Sequence, residues 1–201
     1  MAMKFFPSQE VRKVLKELEE SGKAHDAAEP EHSRRMLNLE PETAELVSIL
    51  ARSSGARRAL EIGTSNGYST IWLAASIGRD GGRVISIDRR PEKHKMAREN
   101  LSRAGLVEFV DLQCGDATEL VATLPGPFDF VIFDADRKSA PEQLKILVPK
   151  LESRALVLAD NALSHPAEIA EYIKMVESLN EFQHAVVPIG KGLSVGFYSA
   201  K

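Results

Sequence analysis

A single cysteine, Cys114, is all that the 201 residues carry. No internal disulfide can form, and the composition fits a reducing compartment. An excess of charge of one sign is missing too. Lys and Arg number 26 against 29 Asp and Glu, for a formal net charge of −3. No dominant basic face for nucleic acid is implied, a local patch apart. No apolar run approaches the ~20 residues of a membrane-spanning helix. Met1 to Phe6 is too short and polar for a secretion signal. Internal repeats, low-complexity tracts and domain linkers are absent as well. The expectation is a cytoplasmic protein without nucleic-acid or membrane partners. Residues 1–201 form one domain, with 43% hydrophobic residues for a large core.

What the chain does have is an alternation. Strands are expected near residues 58–62, 83–87, 108–113, 128–133 and 154–159, and helices near 69–77, 91–104, 116–123, 139–150 and 167–178. Phe128-Asp129-Phe130-Val131-Ile132-Phe133 is nearly continuous in apolar residues, as strands covered on both faces are. The end differs: Gln183 to Pro188 and Leu193 to Tyr198, joined by Ile189-Gly190-Lys191-Gly192, read as an antiparallel hairpin. Together these predict an α/β fold, a doubly wound, mostly parallel sheet of about seven strands closed by a C-terminal antiparallel hairpin. Ahead of it, residues 8–21 place Val11, Val14, Leu15 and Leu18 at helical spacing behind a capping Ser8. That stripe is expected to bury itself on the domain, on a second subunit or over a substrate. Residues 22–40 are polar and expected to be a mobile connection, and Pro41 and Glu42 open a helix ending near Gly55.

The stretch Ala59-Leu60-Glu61-Ile62-Gly63-Thr64-Ser65-Asn66-Gly67-Tyr68-Ser69-Thr70 organises the rest. It reads as a strand, a glycine-punctuated turn and a helix start capped by Ser69 or Thr70. Gly63 and Gly67 permit a tight turn and the close approach of a ligand. Asp88 ends the next strand, a place from which an acid commonly holds ribose hydroxyls. The spacing of Gly63 and Gly67 is not the G-x-G-x-x-G that cradles a pyrophosphate. It suits an adenosine ligand without phosphates, of which S-adenosylmethionine (SAM) is the commonest. In such sheets the ligand crevice lies beyond the carboxyl ends of the strands. Those ends carry Glu61, Asp88, Asp116, Asp134 with Asp136, and Asp160 with Asn161. Left bare, so many acids repel one another. A sulfonium ligand with an α-amino group is one relief, and a metal another. Asp134, Asp160 and Asn161 offer oxygen only, pointing to Mg²⁺, or alternatively to Mn²⁺ or Ca²⁺. No His or Cys stands there for zinc.

Glu61-Ile62-Gly63-Thr64-Ser65-Asn66-Gly67-Tyr68-Ser69 resembles the first motif of the SAM-dependent O-methyltransferases typified by catechol and caffeoyl-CoA O-methyltransferases. Asp134-Ala135-Asp136 with Asp160-Asn161 is similar to that family's metal segment, and Pro188-Ile189-Gly190-Lys191-Gly192-Leu193 to its closing hairpin. The resemblance implies a Rossmann-like class I methyltransferase fold. It implies SAM contacts at Glu61, the Gly63-Thr64 backbone, Ser69 and Asp88, with Glu61 and Asp88 nearest the ribose. Ala117 is implied at the adenine, preceded by Asp116, and Asp136 near the methionine amino group. Asp134 counts with the cofactor residues and, beside Asp160 and Asn161, as a metal ligand. A homodimer is implied too.

The chain also departs from that pattern. Arg137, followed by Lys138, stands where the family usually has the Lys that helps deprotonate the acceptor. Ser139-Ala140-Pro141 replaces the usual aromatic, and Ala162-Leu163-Ser164-His165 follows the metal pair. The expected reaction is methyl transfer from SAM to a hydroxyl of a small, catechol-like acceptor, with Asp134 and the metal acidifying it. Arg137 stays protonated and serves as electrostatic helper, with Lys138 the other candidate. Two alternatives remain at this point: a nicotinamide-dependent oxidoreductase, and a SAM-binding protein without transferase activity. Acceptor contacts are expected from the first 40 residues, 162–166 and 189–192.

Overall fold

A computed structural model of the chain describes residues 6–200, which leaves Met1 to Lys4 and Phe5 of the N-terminal reading outside the described residues. Seven strands form one sheet: β1 (Arg58–Ile62), β2 (Arg83–Asp88), β3 (Val110–Cys114), β4 (Phe128–Phe133), β5 (Leu151–Ala159), β6 (Phe182–Val187) and β7 (Leu193–Tyr198). Their order is β3-β2-β1-β4-β5-β7-β6. β1 to β5 run parallel, and β7 pairs antiparallel with both β5 and β6. The expected doubly wound sheet with a terminal hairpin is therefore present. The helices are α1 (Gln9–Ala28), α2 (Pro41–Ser53), α3 (Tyr68–Ile77), α4 (Pro91–Arg103), α5 (Ala117–Thr123), α6 (Ala140–Leu147) and α7 (Pro166–Ser178). Among the described residues no helix is long and apolar enough to cross a membrane.

The apolar runs of the strands follow from burial on two faces. Ala59, Phe130, Ile132 and Leu158 pack with residues of α1 to α4, such as Val14, Val47, Ile71 and Leu101. Their neighbours Leu60, Val131, Phe133 and Val157 pack on the opposite face with Val121, Leu144, Ile169 and Tyr172 of α5 to α7. Successive side chains of a strand point to opposite faces, so a strand between two helical layers is apolar at most positions.

The N-terminal region departs from expectation in two ways. Val11, Val14, Leu15 and Leu18 are 3%, 5%, 2% and 6% exposed within this one chain. Each contributes about 1.5–3 kcal/mol of burial, so α1 is an integral layer of the domain. The stripe that argued for a second subunit is already covered, and the homodimer loses that argument. Secondly, α1 runs past Gly22 to Ala28. Gly22 does not end the helix: it admits the side chain of Asn38, whose Nδ2 would lie 2.7 Å from a Cβ there. Residues 29–40 then cross the carboxyl ends of the central strands and are pinned there. Two smaller differences concern the sheet: β5 begins at Leu151, and a 3₁₀ turn at Val107–Phe109 precedes β3.

Candidate functional site

Past the last residues of the strands the backbone ladder continues by single bonds. The amides of Gly63 and Thr64 donate to Ile87 O (2.9 and 3.2 Å), Gly115 N to Asp88 O (3.1 Å), Asp134 N to Ile62 O (2.8 Å) and Asp160 N to Phe133 O (3.0 Å). These bonds bring the strand-end acids into one row. Order reverses between β1 and β4, and there Gly63 (φ +112°) sits so close that a Cβ would overlap the carbonyl oxygen of Asp134. Only glycine tolerates both the dihedral and the contact. Gly67, at φ 88°, caps α3, which begins at Tyr68. Ser69 and Thr70 therefore lie in the first turn and are not the caps expected, because the left-handed glycine starts the helix two residues earlier.

A cavity of about 550 Å³ opens over this row. Gly63, Thr64, Ser69, Asp88, Asp116, Ala117, Asp134, Asp136, Arg137 and Asn161 line it, whereas Glu61, Lys138 and Asp160 do not. Glu61 is fully buried beneath the loop, where the hydroxyls of Thr70 and Ser86 donate to Oε2. Burial pushes its carboxyl up, and hydrogen bonds from Ser69, Ser86 and Thr70 offset part of that. The ribose contact read for Glu61 is thus corrected: it ties β1 and β2 to the start of α3 from below.

Asp88 keeps the expected place. Its Oδ2 accepts from Ser65 N (2.8 Å) and its Oδ1 from Arg90 N (3.0 Å), with the carboxylate at the cavity wall. Asp116 accepts from Thr118 N (2.9 Å) and Glu119 N (3.2 Å), capping α5. Asp136 accepts from Lys138 N (3.2 Å) and Ser139 Oγ (2.7 Å), closing its own turn. Both border the cavity with carboxylates already engaged. The Arg137 Nε and Nη2 donate to one oxygen of Glu168 at 2.9 and 2.8 Å. Lys138 is exposed and off the cavity wall, so its candidacy as a catalytic group falls.

Asp160 is 3% exposed, accepts from Asn161 Nδ2 at Oδ2 (2.7 Å), and has no partner at the buried Oδ1. Burial raises it to about 6, against the pull of Asn161 N, Lys191 and Arg137. Asp134 is raised well above the usual carboxylate range, first by burial and then by the negative charge of Asp160. Asn161 stands at φ +67° on the cavity wall, its Oδ1 accepting from Ser164 Oγ (3.1 Å). Among the described residues no three His, Cys, Asp or Glu side chains gather as a metal set. The candidate set is two mutually repelling carboxylates and an amide. An unpartnered buried carboxylate oxygen and oxygen-only chemistry fit a hard divalent ion. An adenosyl ligand fits the cavity as well: its volume lies in the range of small-molecule sites, and a ribose acceptor and a Cβ-free turn face it.

Two of the segments expected to contact the acceptor, the first 40 residues and 189–192, do reach the cavity, though the sequence did not single out which residues would. His32, Ser33 and residues 35–39 wall it. Lys191 also lines it and pairs with Glu40 at 2.7 Å. Burial pushes the Lys191 ammonium down, but Glu40, Asp160 and Asp134 more than offset that and hold it above its usual value. It is a fixed cation beside the acids. Cys114 is exposed at the sheet edge. His165 reaches the cavity wall, and Trp72 packs against the core.

A parallel sheet with a cavity at its switch point and a ribose-type acid on the second strand defines a doubly wound nucleoside-binding domain. The chain belongs to the O-methyltransferase family, whose sequence model matches residues 7–188. It is 35% identical over 149 residues to a catechol O-methyltransferase of Mycobacterium tuberculosis, covering 74% of this chain and 66% of that protein. To a catechol O-methyltransferase of Niastella koreensis it is 31% identical over 131 residues, covering 63% of this chain and 59% of that protein. The chain thus spans about two thirds or less of the length of these curated relatives. Among solved structures, a cofactor-bound MTB protein superposes with a TM-score of 0.81 at 26% identity, covering 94% of this chain and 91% of the other. An O-methyltransferase from Bacillus cereus in complex with SAH gives 0.81 over 97% and 93% of the chains. At 24% identity it speaks for the fold alone. The family leaves no support for the nicotinamide alternative.

Proposed function

We propose that the chain transfers the methyl group of SAM to a hydroxyl of a small, catechol-like acceptor, with a divalent ion held by Asp134, Asp160 and Asn161. The observation that carries the reading is the cavity at the β1/β4 switch point, walled by the Gly63 turn, Asp88 and Asp134, with the unpartnered oxygen of Asp160 buried off its wall. When bound, SAM would supply an electrophilic methyl whose sulfonium charge vanishes on transfer, and the divalent ion a Lewis acid that lowers the acceptor's pKa.

The chain's own residues do the rest. Asp88 accepts the ribose hydroxyls, and its other bonds to Ser65 N and Arg90 N hold it in place. Gly63 lets the backbone approach without a Cβ. Asp134 and Asp160 repel each other, which a bound cation would relieve. Arg137, partly neutralised by Glu168, contributes charge near the acceptor and, being already protonated, takes no proton from it. Lys191, paired with Glu40, is likewise a cation and not a base. Neither Arg137 nor Lys191 takes the acceptor's proton, which leaves to solvent.

The test is a panel of catechols, caffeoyl esters and flavonoids with methyl-labelled SAM, with and without Mg²⁺. Label should pass to catechol-type hydroxyls and depend on the metal. Transfer undiminished after exhaustive chelation would remove the metal from the proposal, and no transfer to any hydroxylated acceptor would remove the activity.

A further inference from the structure

Lys93, on α4, is 4% exposed, yet no carboxylate lies within ion-pair distance of its ammonium among the described residues. The group is spent on the segment between α1 and α2. It donates to Arg35 O at 2.7 Å and to Arg34 O at 3.4 Å, with Met36 Sδ at 3.1 Å and Ser65 Oγ at 3.4 Å. From the other side, the Asp26 carboxylate accepts the amides of Met36 (2.6 Å) and Leu37 (2.8 Å). A cation thus gathers the carbonyls of one short strap and an anion its amides. The strap is also tied to the glycine turn, where Ser65 Oγ donates to Met36 O at 2.6 Å.

Strain marks both sides of that last bond. Leu37 stands at φ +52° and Ser65 at φ +47°, each in the left-handed region disfavoured for a residue with a Cβ. Such conformations persist only where the surroundings over-determine them. Here the surroundings are the two charged clamps. Burial pushes the Lys93 ammonium below its usual value, and the nearby Asp88 charge opposes that. Lys93 therefore sits between the ribose acid and the strap, and all three border one cavity.

We propose that Lys93 and Asp26 are positioning residues that hold the Arg34–Leu37 strap across the nucleoside cavity and set how long the adenosyl ligand stays bound. The inference rests on the SAM reading above. A ligand lodged against Asp88 and the Ser65 turn lies under the strap, so its exit requires the clamps to open. Charge-assisted hydrogen bonds of this kind are the stronger sort, and losing them shortens the bound lifetime more than it slows entry.

The test compares wild type with Lys93→Met, which keeps the aliphatic stem and deletes the donors. S-adenosylhomocysteine (SAH) is the probe, its dissociation followed by stopped-flow fluorescence. Exchange of the Met36 and Leu37 amides is followed in the ligand-free protein. SAH should leave Lys93→Met at least about tenfold faster, with little change in association, and both amides should exchange faster. The KM for SAM should rise by more than kcat falls, and Lys93→Arg should restore much of the lost residence time. Should Lys93→Met not yield folded protein, Asp26→Asn carries the same test, because Asp26 lies at the end of α1 and, among the described residues, its side chain hydrogen-bonds to the strap and His25. Wild-type dissociation and amide exchange in a folded variant would overturn the clamp while leaving the SAM reading intact. Failure of SAH to bind the wild type would overturn both.

Discussion

Replacing Asp160 by Asn isolates the electrostatic cost built into the acid row. The folded carboxyl is raised from its ordinary 3.8 to about 6, chiefly by burial. A raised acid binds its proton more tightly when folded, so the protein without metal is penalised wherever Asp160 is charged. The penalty is absent below the unfolded pKa, grows as pH rises from about 4 to about 6, and is complete above that. The difference of about two pKa steps corresponds to ~3 kcal/mol. Because Asp134 shares the repulsion, the part that Asp160→Asn relieves is of order 1–3 kcal/mol. The amide keeps an acceptor for Asn161 Nδ2 and carries no charge. In chelator at about pH 7.5, Asp160→Asn should therefore melt several degrees above the wild type, at roughly 2–4 °C per kcal/mol for a domain of this size. At about pH 4 the gap should close. Added Mg²⁺ should stabilise the wild type by ligand linkage, ~2.7 kcal/mol at a hundredfold excess over Kd, and leave the variant unmoved. A variant less stable than the wild type in chelator at pH 7.5, or a gap that ignores pH, would refute the reasoning.

Gly63→Ala forces a Cβ onto Asp134 O at a positive φ. Overpacking and backbone strain together should cost roughly 3–5 kcal/mol in urea unfolding, and a loss below ~1 kcal/mol would mean that the turn relaxes freely. For an accepted substrate, Arg137→Ala should lower kcat/KM about tenfold, less than the ~10²-fold of a donor aimed at the reacting oxygen, because Glu168 already shares its charge. Lys138→Ala should change kcat/KM less than about twofold, since its side chain lies off the cavity wall. A large Lys138 effect beside an intact Arg137→Ala would reverse that assignment.

How far the sequence could be read depended on what each pattern encodes. Strands buried on both faces are easily read, because most of their positions are apolar, and Phe128 to Phe133 announce themselves. The acids at their ends were legible because a parallel sheet aligns its carboxyl ends. Their individual duties were not. An Asp that closes a strand and opens a helix caps that helix as readily as it binds a ligand, and Asp116 does so. Glu61 differs from Asp88 only in facing down into the layer of α3, a matter of tertiary packing. Gly22 looked like a helix stop and is a seat for Asn38. The strap and the Glu40–Lys191 pair join residues far apart in the chain, and nothing local in composition signals such pairs.

The central claim is that this cavity holds the adenosyl part of SAM with Asp88 at the ribose. Calorimetric titration with SAH tests it most directly. The account predicts a Kd in the micromolar range, about −8 kcal/mol at 1 μM. In Asp88→Ala, loss of charge-assisted bonds to the ribose should weaken binding by roughly tenfold or more. No heat of binding from SAH or SAM, or an Asp88→Ala variant that binds as well as the wild type, would contradict it.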